Sequence, residues 1–335
     1  MKKNVVVTGA SAGLGRAIAH EFGKRGANIG LIARGTEALE LVKVEVEQLG
    51  GRAVVLPADV SDADAIENAA TIMEESFGPL DVWVNNAMVS VFSPIDEMAA
   101  TEFKRVTEVT YLGYVYGTLS ALKRMKRRDR GVIVQVGSAL AYRSIPLQSA
   151  YCASKHAIKG FTESLLCELI HDRSNVKVSM VHMPALNTPQ FNWVKSRLPN
   201  HPQPVPPIYQ PEVGATAVVW ASEHAPRELL VGLPTLEAVM GEKVIPGYLD
   251  SYLGKTCYEA QQMPTPVEAD RPNNLFQPLP MMATTHGIFD QNARKISAEL
   301  WTRTHLKTLA FMLSGAAASL SVLALARRLS RKRAA

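Results

Sequence analysis

The sequence predicts an α/β fold with a doubly wound, mostly parallel sheet of seven strands. The β-branched run Val5-Val6-Val7 is followed directly by a glycine-rich turn and then by a helical pattern. Further apolar runs alternate with helical patterns over roughly the first 240 residues, which is typical of β-α-β units. Polar residues suited to chemistry follow the ends of these runs, where open parallel sheets bind their ligands.

The individual elements follow from local patterns. Short, continuous apolar runs that suit strands covered on both faces occupy residues 3–8, 27–33, 53–58, 80–84, 132–136, 177–181 and 228–232. Helical patterns occupy residues 16–24, a segment starting near Asp62, and residues 101–128, 151–169 and 212–222.

The turn after the first strand has the composition of a phosphate-binding loop. It reads Thr8-Gly9-Ala10-Ser11-Ala12-Gly13-Leu14-Gly15. Glycines permit a tight turn, and the free N–H groups at the start of the next helix attract an anion. We therefore predict that a dinucleotide diphosphate is bound by Gly9, Ser11, Gly13, Leu14 and Gly15. The alternative is an ordinary glycine-rich loop between a strand and a helix.

The residue after the second strand indicates which dinucleotide is bound. An NAD site places an acidic residue there, whereas this chain has Arg34. Because a guanidinium fork suits a 2′-phosphate, the sequence favours NADP(H) over NAD(H). The alternative is that Arg34 is a solvated loop charge. Asp59 and Val60 close the third strand, and the Asp59 carboxylate could accept from an adenine amino group or cap the following helix.

A second group of residues is suited to proton transfer. Ser138 follows the strand at 132–136, and Tyr151 and Lys155 lie four residues apart on a predicted helix, so they share one face. A nearby ammonium favours the phenolate, which would bring the high pKa of a tyrosine closer to working range. The Ser138 hydroxyl could hold a substrate oxygen in place.

These motifs resemble the short-chain dehydrogenase/reductase family over roughly the first 240 residues. The resemblance includes Asn85-Asn86-Ala87 after the fourth strand, and Pro184 and Thr188 after the sixth. The gap between Gly9 and Gly13 resembles the compact oxidoreductase branch. The resemblance implies a Rossmann-type fold and NAD(P)-dependent interconversion of a carbonyl and a secondary alcohol. It implies that Tyr151 is the general acid/base, that Lys155 binds the nicotinamide ribose and lowers the Tyr151 pKa, and that Ser138 orients the substrate. The positions that it adds to the cofactor site are Asn86, Ala87, Pro184 and Thr188.

Three positions depart from the family pattern. Met88 and Ala185 each replace a glycine, and Thr110 stands where the family has a fourth catalytic residue, an asparagine. In the family this position supports a water-linked proton path to the lysine, largely through its backbone carbonyl. Since a carbonyl is present whatever the side chain, we expect Thr110 to keep this path. The departures leave open a non-catalytic NADP-binding scaffold, and the hydrophobic, basic tail leaves open a membrane-surface interaction protein.

The composition argues against several other classes of protein. The 335 residues carry a net charge of +5 and three cysteines without paired spacing, which predicts neither a disulfide framework nor a metal site. The basic clusters match no nucleic-acid-binding module. No signal peptide precedes the first strand, so we expect a catalytic domain in the cytoplasm.

The sequence divides into a nucleotide-binding and catalytic domain (1–240), an extension (241–305) and a hydrophobic helix with a basic tail (306–335). Within the first, residues 185–211 are expected to form a substrate lid, with a proline-rich loop at 199–211 and the aromatic residues Phe191, Trp193 and Tyr209. The alternative is that these aromatics pack on the core. Short helices are expected at 248–258 and 291–303.

The partners are predicted from the lid and the tail. We expect a homo-oligomer and a small carbonyl or alcohol substrate, and the apolar lid and the tail favour a hydrophobic one. Residues 308–326 carry no charge and are followed by a basic stretch. This pattern predicts membrane association through 308–333, either across or along the bilayer, and the alternative is a buried or oligomer-forming helix.

Overall fold

The computed structural model describes residues 2–268, 270–279 and 283–305. In chain order its strands are β1 (Asn4–Thr8), β2 (Asn28–Ala33), β3 (Arg52–Pro57), β4 (Val82–Asn85), β5 (Val91–Phe92), β6 (Val132–Ser138), β7 (Lys177–Met183), β8 (Lys195–Ser196), β9 (Asn200–Pro202), β10 (Ile208–Tyr209), β11 (Glu228–Leu230), β12 (Gln262–Pro266) and β13 (Ala293–Arg294). The α-helices are α1 (Gly13–Gly23), α2 (Thr36–Gln48), α3 (Ala63–Phe77), α4 (Ala100–Thr107), α5 (Gly113–Arg128), α6 (Ser149–His171), α7 (Gln190–Trp193), α8 (Pro211–His224), α9 (Leu233–Val244), α10 (Pro246–Ala260) and α11 (Ala298–Thr304).

The predicted α/β fold with a seven-stranded parallel sheet is confirmed. The order of the strands is β11-β7-β6-β4-β1-β2-β3, and every neighbouring pair is parallel. All five residues of β1 and all four of β4 are buried, as their uninterrupted apolar sequence predicts for strands with helices on both faces. The strand order reverses beside β1, so the carboxyl ends of β1 and β4 flank the crevice where such sheets bind ligands.

The helix predicted over residues 101–128 is interrupted. It consists of α4, a π-helical turn at Glu108–Leu112, and α5. A π-helical turn inserts an extra residue and rotates the following helix about its axis, and such turns frequently mark functional sites. The interruption therefore decides which side chains of α5 face the sheet.

Several segments outside the seven-stranded sheet differ from the prediction, including the helix expected at 291–303, of which only the part from Ala298 onward is helical. The proline-rich stretch at 199–211 contains β9 and β10, which pair with β12 and β13 of the extension. The helix α9 was not predicted, and it begins beside Pro234, a residue tolerated in the first turn of a helix. Sequence windows could not show the pairings, because the partner strands are far apart in the chain.

Most of the extension belongs to the same compact unit as the sheet. That unit spans Met1–Ser297, and a second unit spans Ala298–Ala335. In the second unit the described part ends with α11 and His305, whose ring stacks on Trp301. The predicted membrane segment at 308–333 lies outside the described residues. Among the residues that are described, no helix is both long and apolar enough to span a bilayer.

A buried polar network fixes α5 against the sheet. The Trp83 indole donates to Asn85 Oδ1 at 2.8 Å, and Asn85 Nδ2 donates to Gln135 Oε1 at 2.9 Å. Thr118 Oγ1 accepts from both Asn85 and Gln135. Because buried polar groups are costly when unpaired, this network specifies how α5 lies over β4 and β6.

The close approach of α5 to this network depends on Gly117. A Cβ at Gly117 would lie 2.3 Å from Asn85 Oδ1, so we expect Gly117→Ala to lower the free energy of unfolding by about 2 kcal/mol through overpacking. Gly160, in α6, has nothing within 4 Å of the same position. The matched Gly160→Ala change should raise that free energy by about 0.5–1 kcal/mol, because alanine is the better helix former. Urea unfolding followed by circular dichroism measures both values. Equal stability of the two variants would contradict the packing argument.

Candidate active site

The glycine-rich turn is tight enough to exclude side chains. Gly9 and Gly13 have φ values of +67° and +54°, which favour glycine. A Cβ at Gly15 would lie 2.0 Å from the Gly9 carbonyl oxygen. The first turn of α1 contains no acidic residue and its N-cap residue Ala12 makes no side-chain hydrogen bond. The turn and the helix N-terminus therefore fit an anionic group such as a diphosphate.

Asn86 holds this turn against the end of β4. Its side-chain amide donates to the Thr8 carbonyl oxygen at 2.9 Å. The backbone N–H groups of Asn86 and Ala87 donate to Thr8 Oγ1 at 2.9 and 3.0 Å. The Asn85-Asn86-Ala87 sequence thus serves the shape of the turn, and Asn86, Ala87 and Met88 all line the cavity beside it.

Ser138, Tyr151 and Lys155 converge at the carboxyl edge of the sheet. Ser138 is the last residue of β6, and its Oγ accepts from the Leu140 N–H at 3.1 Å. Tyr151 and Lys155 lie on the first turns of α6, and Lys155 Nζ is 5.5 Å from the centroid of the Tyr151 ring. All three residues line the same cavity as the glycine-rich turn.

Burial changes the acidity of both ionisable members of this set. Lys155 is 2% exposed, and burial lowers its pKa to about 7. Burial raises the pKa of Tyr151 above its ordinary value, and a hydrogen bond with Ser138 offsets only part of that rise. The lowering of the Tyr151 pKa by Lys155 that the family resemblance implies stays a prediction.

The Lys155 ammonium is held by neutral oxygen atoms. Its Nζ donates to the Val136 carbonyl at 2.8 Å and to the hydroxyl of Tyr114 at 3.1 Å. Tyr114 was not among the residues selected from the sequence. The available signal was its position on the predicted helix, one turn after Thr110, but the π-helical turn obscured which way it faces.

Thr110 lies behind the cavity rather than in its wall. It is fully buried, and its Oγ1 donates to the Val89 carbonyl at 2.9 Å and accepts from the Val89 N–H at 3.1 Å. These two bonds tie the π-helical turn to the chain that leaves β4. The side chain of Thr110 therefore has a structural contact, while the expected role of its carbonyl remains a prediction.

The other end of the cavity is crossed by the extension. Residues 274–279 and 283–284, called the strap below, lie over it. Arg34 donates to the carbonyls of Asn274 at 2.6 Å and Phe276 at 2.9 Å. The N–H of Gly13 donates to the Thr284 carbonyl at 2.8 Å. Leu275 is fully buried in an apolar cluster that includes Val60. The strap thus accepts hydrogen bonds from Arg34 and from the Gly13 N–H, two groups that the sequence analysis assigned to the cofactor site.

Asp59 has a partner that the sequence did not indicate. Its carboxylate forms an ion pair with Arg105 and accepts from Ser61 Oγ at 2.7 Å. Burial acts to raise the Asp59 pKa, but the bonds from Arg105 and Ser61 outweigh it and lower the pKa. The alternative that Asp59 caps the next helix is wrong, because Asp62 caps α3 by accepting from the Ala65 N–H.

The loop after β7 joins the glycine-rich turn to the extension. Pro184, Ala185 and Thr188 line the cavity, and a Cβ at Gly13 would lie 3.1 Å from Thr188 Cβ. The buried Asn187 side chain donates to Asp290 at 2.7 Å and accepts from the Phe289 N–H at 3.0 Å. Asn187 therefore anchors the extension, a role that no local pattern indicated.

The two interpretations of the aromatic lid residues each hold in part. Phe191 and Trp193 line the cavity. Phe191 also packs edge-on against Phe92 and Phe289. Tyr209 is 2% exposed in β10 and is not part of the cavity wall. The lid therefore contributes the side chains of Phe191 and Trp193 to the cavity wall and that of Tyr209 to the core.

One cavity of about 450 Å³ connects these features. Of the residues predicted for the site, those in its wall are Gly9, Ser11, Gly13, Leu14, Gly15, Arg34, Asp59, Val60, Asn86, Ala87, Ser138, Tyr151, Lys155, Pro184 and Thr188. The sequence thus predicted residues from seven separate segments that the fold brings to one crevice.

Comparison with known proteins agrees with this geometry. A family model described as short chain dehydrogenase matches residues 3–197. An uncharacterized oxidoreductase, YxnA of Bacillus subtilis, is 31% identical over 293 residues, which cover 87% of this chain and 81% of that protein. The 3-ketodihydrosphingosine reductase of Bos taurus is 36% identical over 193 residues, which cover 56% of this chain and 58% of that protein.

A solved structure supports the same assignment. It is an alcohol dehydrogenase from the archaeon Thermococcus sibiricus complexed with 5-hydroxy-NADP, with a TM-score of 0.59 and 27% identity. The match covers 69% of this chain and 96% of that chain. This chain therefore belongs to the short-chain dehydrogenase family and is an NAD(P)-dependent oxidoreductase.

Proposed function

We propose that the protein is an NADP(H)-dependent oxidoreductase that interconverts a carbonyl and a secondary alcohol. The observation that carries this proposal is the placement of Ser138, Tyr151 and Lys155 in the wall of the cavity that also contains the glycine-rich turn. When bound there, the nicotinamide cofactor would supply or accept the hydride. The residues of the chain would handle the proton and the orientation of the substrate.

Tyr151 is the proton donor in the reductive direction. Its hydroxyl would donate to the carbonyl oxygen of the substrate, while Ser138 holds the same oxygen in place. Because burial raises the Tyr151 pKa, the side chain is a neutral phenol at neutral pH, which is the form needed for donation.

The substrate is a hydrophobic carbonyl compound. The cavity wall near α6 and the lid includes Gln148, Gln190 and Gln203 but is mostly apolar, with Ile145, Phe191, Trp193 and Leu253 among its members. Apolar walls bind apolar ligands by excluding water. The name of the bovine relative, a ketodihydrosphingosine reductase, is consistent with a lipid-like ketone.

The preference for NADP(H) is supported by Arg34 and by the 5-hydroxy-NADP in the archaeal structure. Arg34 follows β2, lines the cavity and forms no salt bridge among the described residues. A 2′-phosphate could accept charge-assisted hydrogen bonds there, which are stronger than the present bonds to strap carbonyls.

Removing the Tyr151 hydroxyl tests the catalytic role. We expect Tyr151→Phe to lower kcat for carbonyl reduction by about 10²–10⁴-fold, because general acid catalysis contributes that much. NADPH binding, measured by fluorescence titration, should persist. Tyr248→Phe, at a tyrosine that is 64% exposed, is the control and should retain full turnover. A Tyr151→Phe enzyme as active as the wild type would refute the assignment, and a wild type inactive toward a broad carbonyl panel would favour a binding scaffold.

Replacing Arg34 tests the cofactor preference. We expect Arg34→Leu to weaken NADPH binding by about 10–100-fold, the contribution of a hydrogen bond to a charged group, and to leave NADH binding nearly unchanged. Arg130→Leu, at an exposed turn outside the cavity, is the control. Isothermal titration with both cofactors gives the ratio. An equal loss for NADPH and NADH would show that Arg34 only anchors the strap.

Membrane association through 308–333 is supported by the uncharged stretch and the five basic residues that follow it. We expect the full chain to cosediment with vesicles containing anionic lipid, and a chain ending at 305 to stay in the supernatant with unchanged turnover. Vesicles of neutral lipid are the control for the charge contribution. A full chain that stays in the supernatant with both kinds of vesicle would remove this proposal.

A further inference from the structure

Tyr114 is a buried polar residue that the proposed chemistry does not use. It lies in the first turn of α5 and is 1% exposed. Its hydroxyl accepts from Lys155 Nζ at 3.1 Å and donates to the Val136 carbonyl at 3.0 Å. Its ring centroid is 4.8 Å from the same nitrogen, which adds a cation–π contact.

Tyr114, Lys155 and the Val136 carbonyl form a closed set of hydrogen bonds. Lys155 also donates directly to the Val136 oxygen, so each of the three groups contacts the other two. The phenolic proton points to a carbonyl, which cannot pass it on. The set therefore fixes the position of the ammonium rather than providing a route for protons.

The surroundings of Lys155 contain no competing charge in the described part of the chain. The titratable groups that face it are Tyr151 on α6, Tyr114 on α5 and His182 on β7. Burial lowers the His182 pKa to about 4, so this ring is neutral at working pH. Burial raises the pKa of Tyr114 well above its ordinary value, so it also stays neutral.

We propose that Tyr114 is a positioning residue for the reaction, whose hydroxyl holds Lys155 Nζ from the inner side of the site and sustains its positive charge. This inference rests on the proposed function of the Ser138, Tyr151 and Lys155 set. In this proposal the side chain of Tyr114 on α5 contacts Lys155 directly. The sequence analysis had instead expected a water-linked path to the lysine at Thr110.

The test is Tyr114→Phe, which keeps the ring and removes the hydroxyl. The change leaves no backbone group unpaired, because the Val136 oxygen still accepts from Lys155. Without one acceptor the charged form of Lys155 is less stable, so its pKa falls. We expect the alkaline limb of the pH profile of kcat/KM to move down by about one unit and kcat at pH 8 to fall about tenfold, with little change in the carbonyl KM.

Two controls separate positioning from packing. Tyr116→Phe, two residues further along α5, removes a hydroxyl that does not contact Lys155 and should leave the pH profile unchanged. An NMR titration of the Lys155 Cε signal, assigned with Lys155→Gln, follows the same ionisation without turnover. It should show a midpoint about one unit lower in Tyr114→Phe than in the wild type.

The outcomes are distinct. A folded Tyr114→Phe protein with the wild-type midpoint and pH profile would overturn the proposal. A wild type without turnover on any carbonyl would instead refute the proposed function, while the NMR midpoints would still decide whether Tyr114 acts on Lys155. If Tyr114→Phe does not fold, Tyr114→Leu, which also removes the hydroxyl, is titrated in its place, and an unchanged Lys155 midpoint in that variant would overturn the proposal.

Discussion

Lys155 brings a positive charge into a site from which the fold excludes most water. Taking an ammonium out of water costs hydration energy, and no carboxylate among the described residues compensates for it. The structure offers neutral oxygens instead, from the Val136 carbonyl on β6 and from Tyr114 on α5. Both must be placed within hydrogen-bond reach. The register of β6, the π-helical turn before α5 and the buried network around Asn85 all contribute to that placement.

Burial also changes the pKa of Tyr151, but in the opposite direction to that of Lys155. It raises the pKa of the phenol and lowers that of the ammonium, so both groups move toward their neutral forms. A neutral phenol is suited to donating a proton to a carbonyl. Burial of these two groups thus bears on the proposed proton transfer, and Phe191 and Trp193 line the same cavity.

The sequence predicted what depends on local pattern. Continuous apolar runs gave the seven parallel strands, and the glycine spacing gave a turn whose φ values match. The convergence of Ser138 with Tyr151 followed because carboxyl ends of parallel strands share one edge. The pairing of β9 with β12 depends instead on contacts between distant segments, for which a proline-rich stretch gives no local signal. Tyr114 was missed for a related reason, since one extra residue in a helical turn changes which side chains face the sheet.

Arg34 connects the identity of the cofactor to the position of the strap. Its guanidinium now donates to neutral carbonyls of Asn274 and Phe276. A phosphate is the stronger acceptor, so a 2′-phosphate bound at Arg34 would share or replace these bonds. The carbonyls so released lie at the cavity edge, where water can satisfy them, and Leu275 remains anchored by apolar contacts. NAD(H) lacks the phosphate and would leave these strap bonds in place. The two cofactors therefore differ in charge and in whether the strap must give up its hydrogen bonds to Arg34.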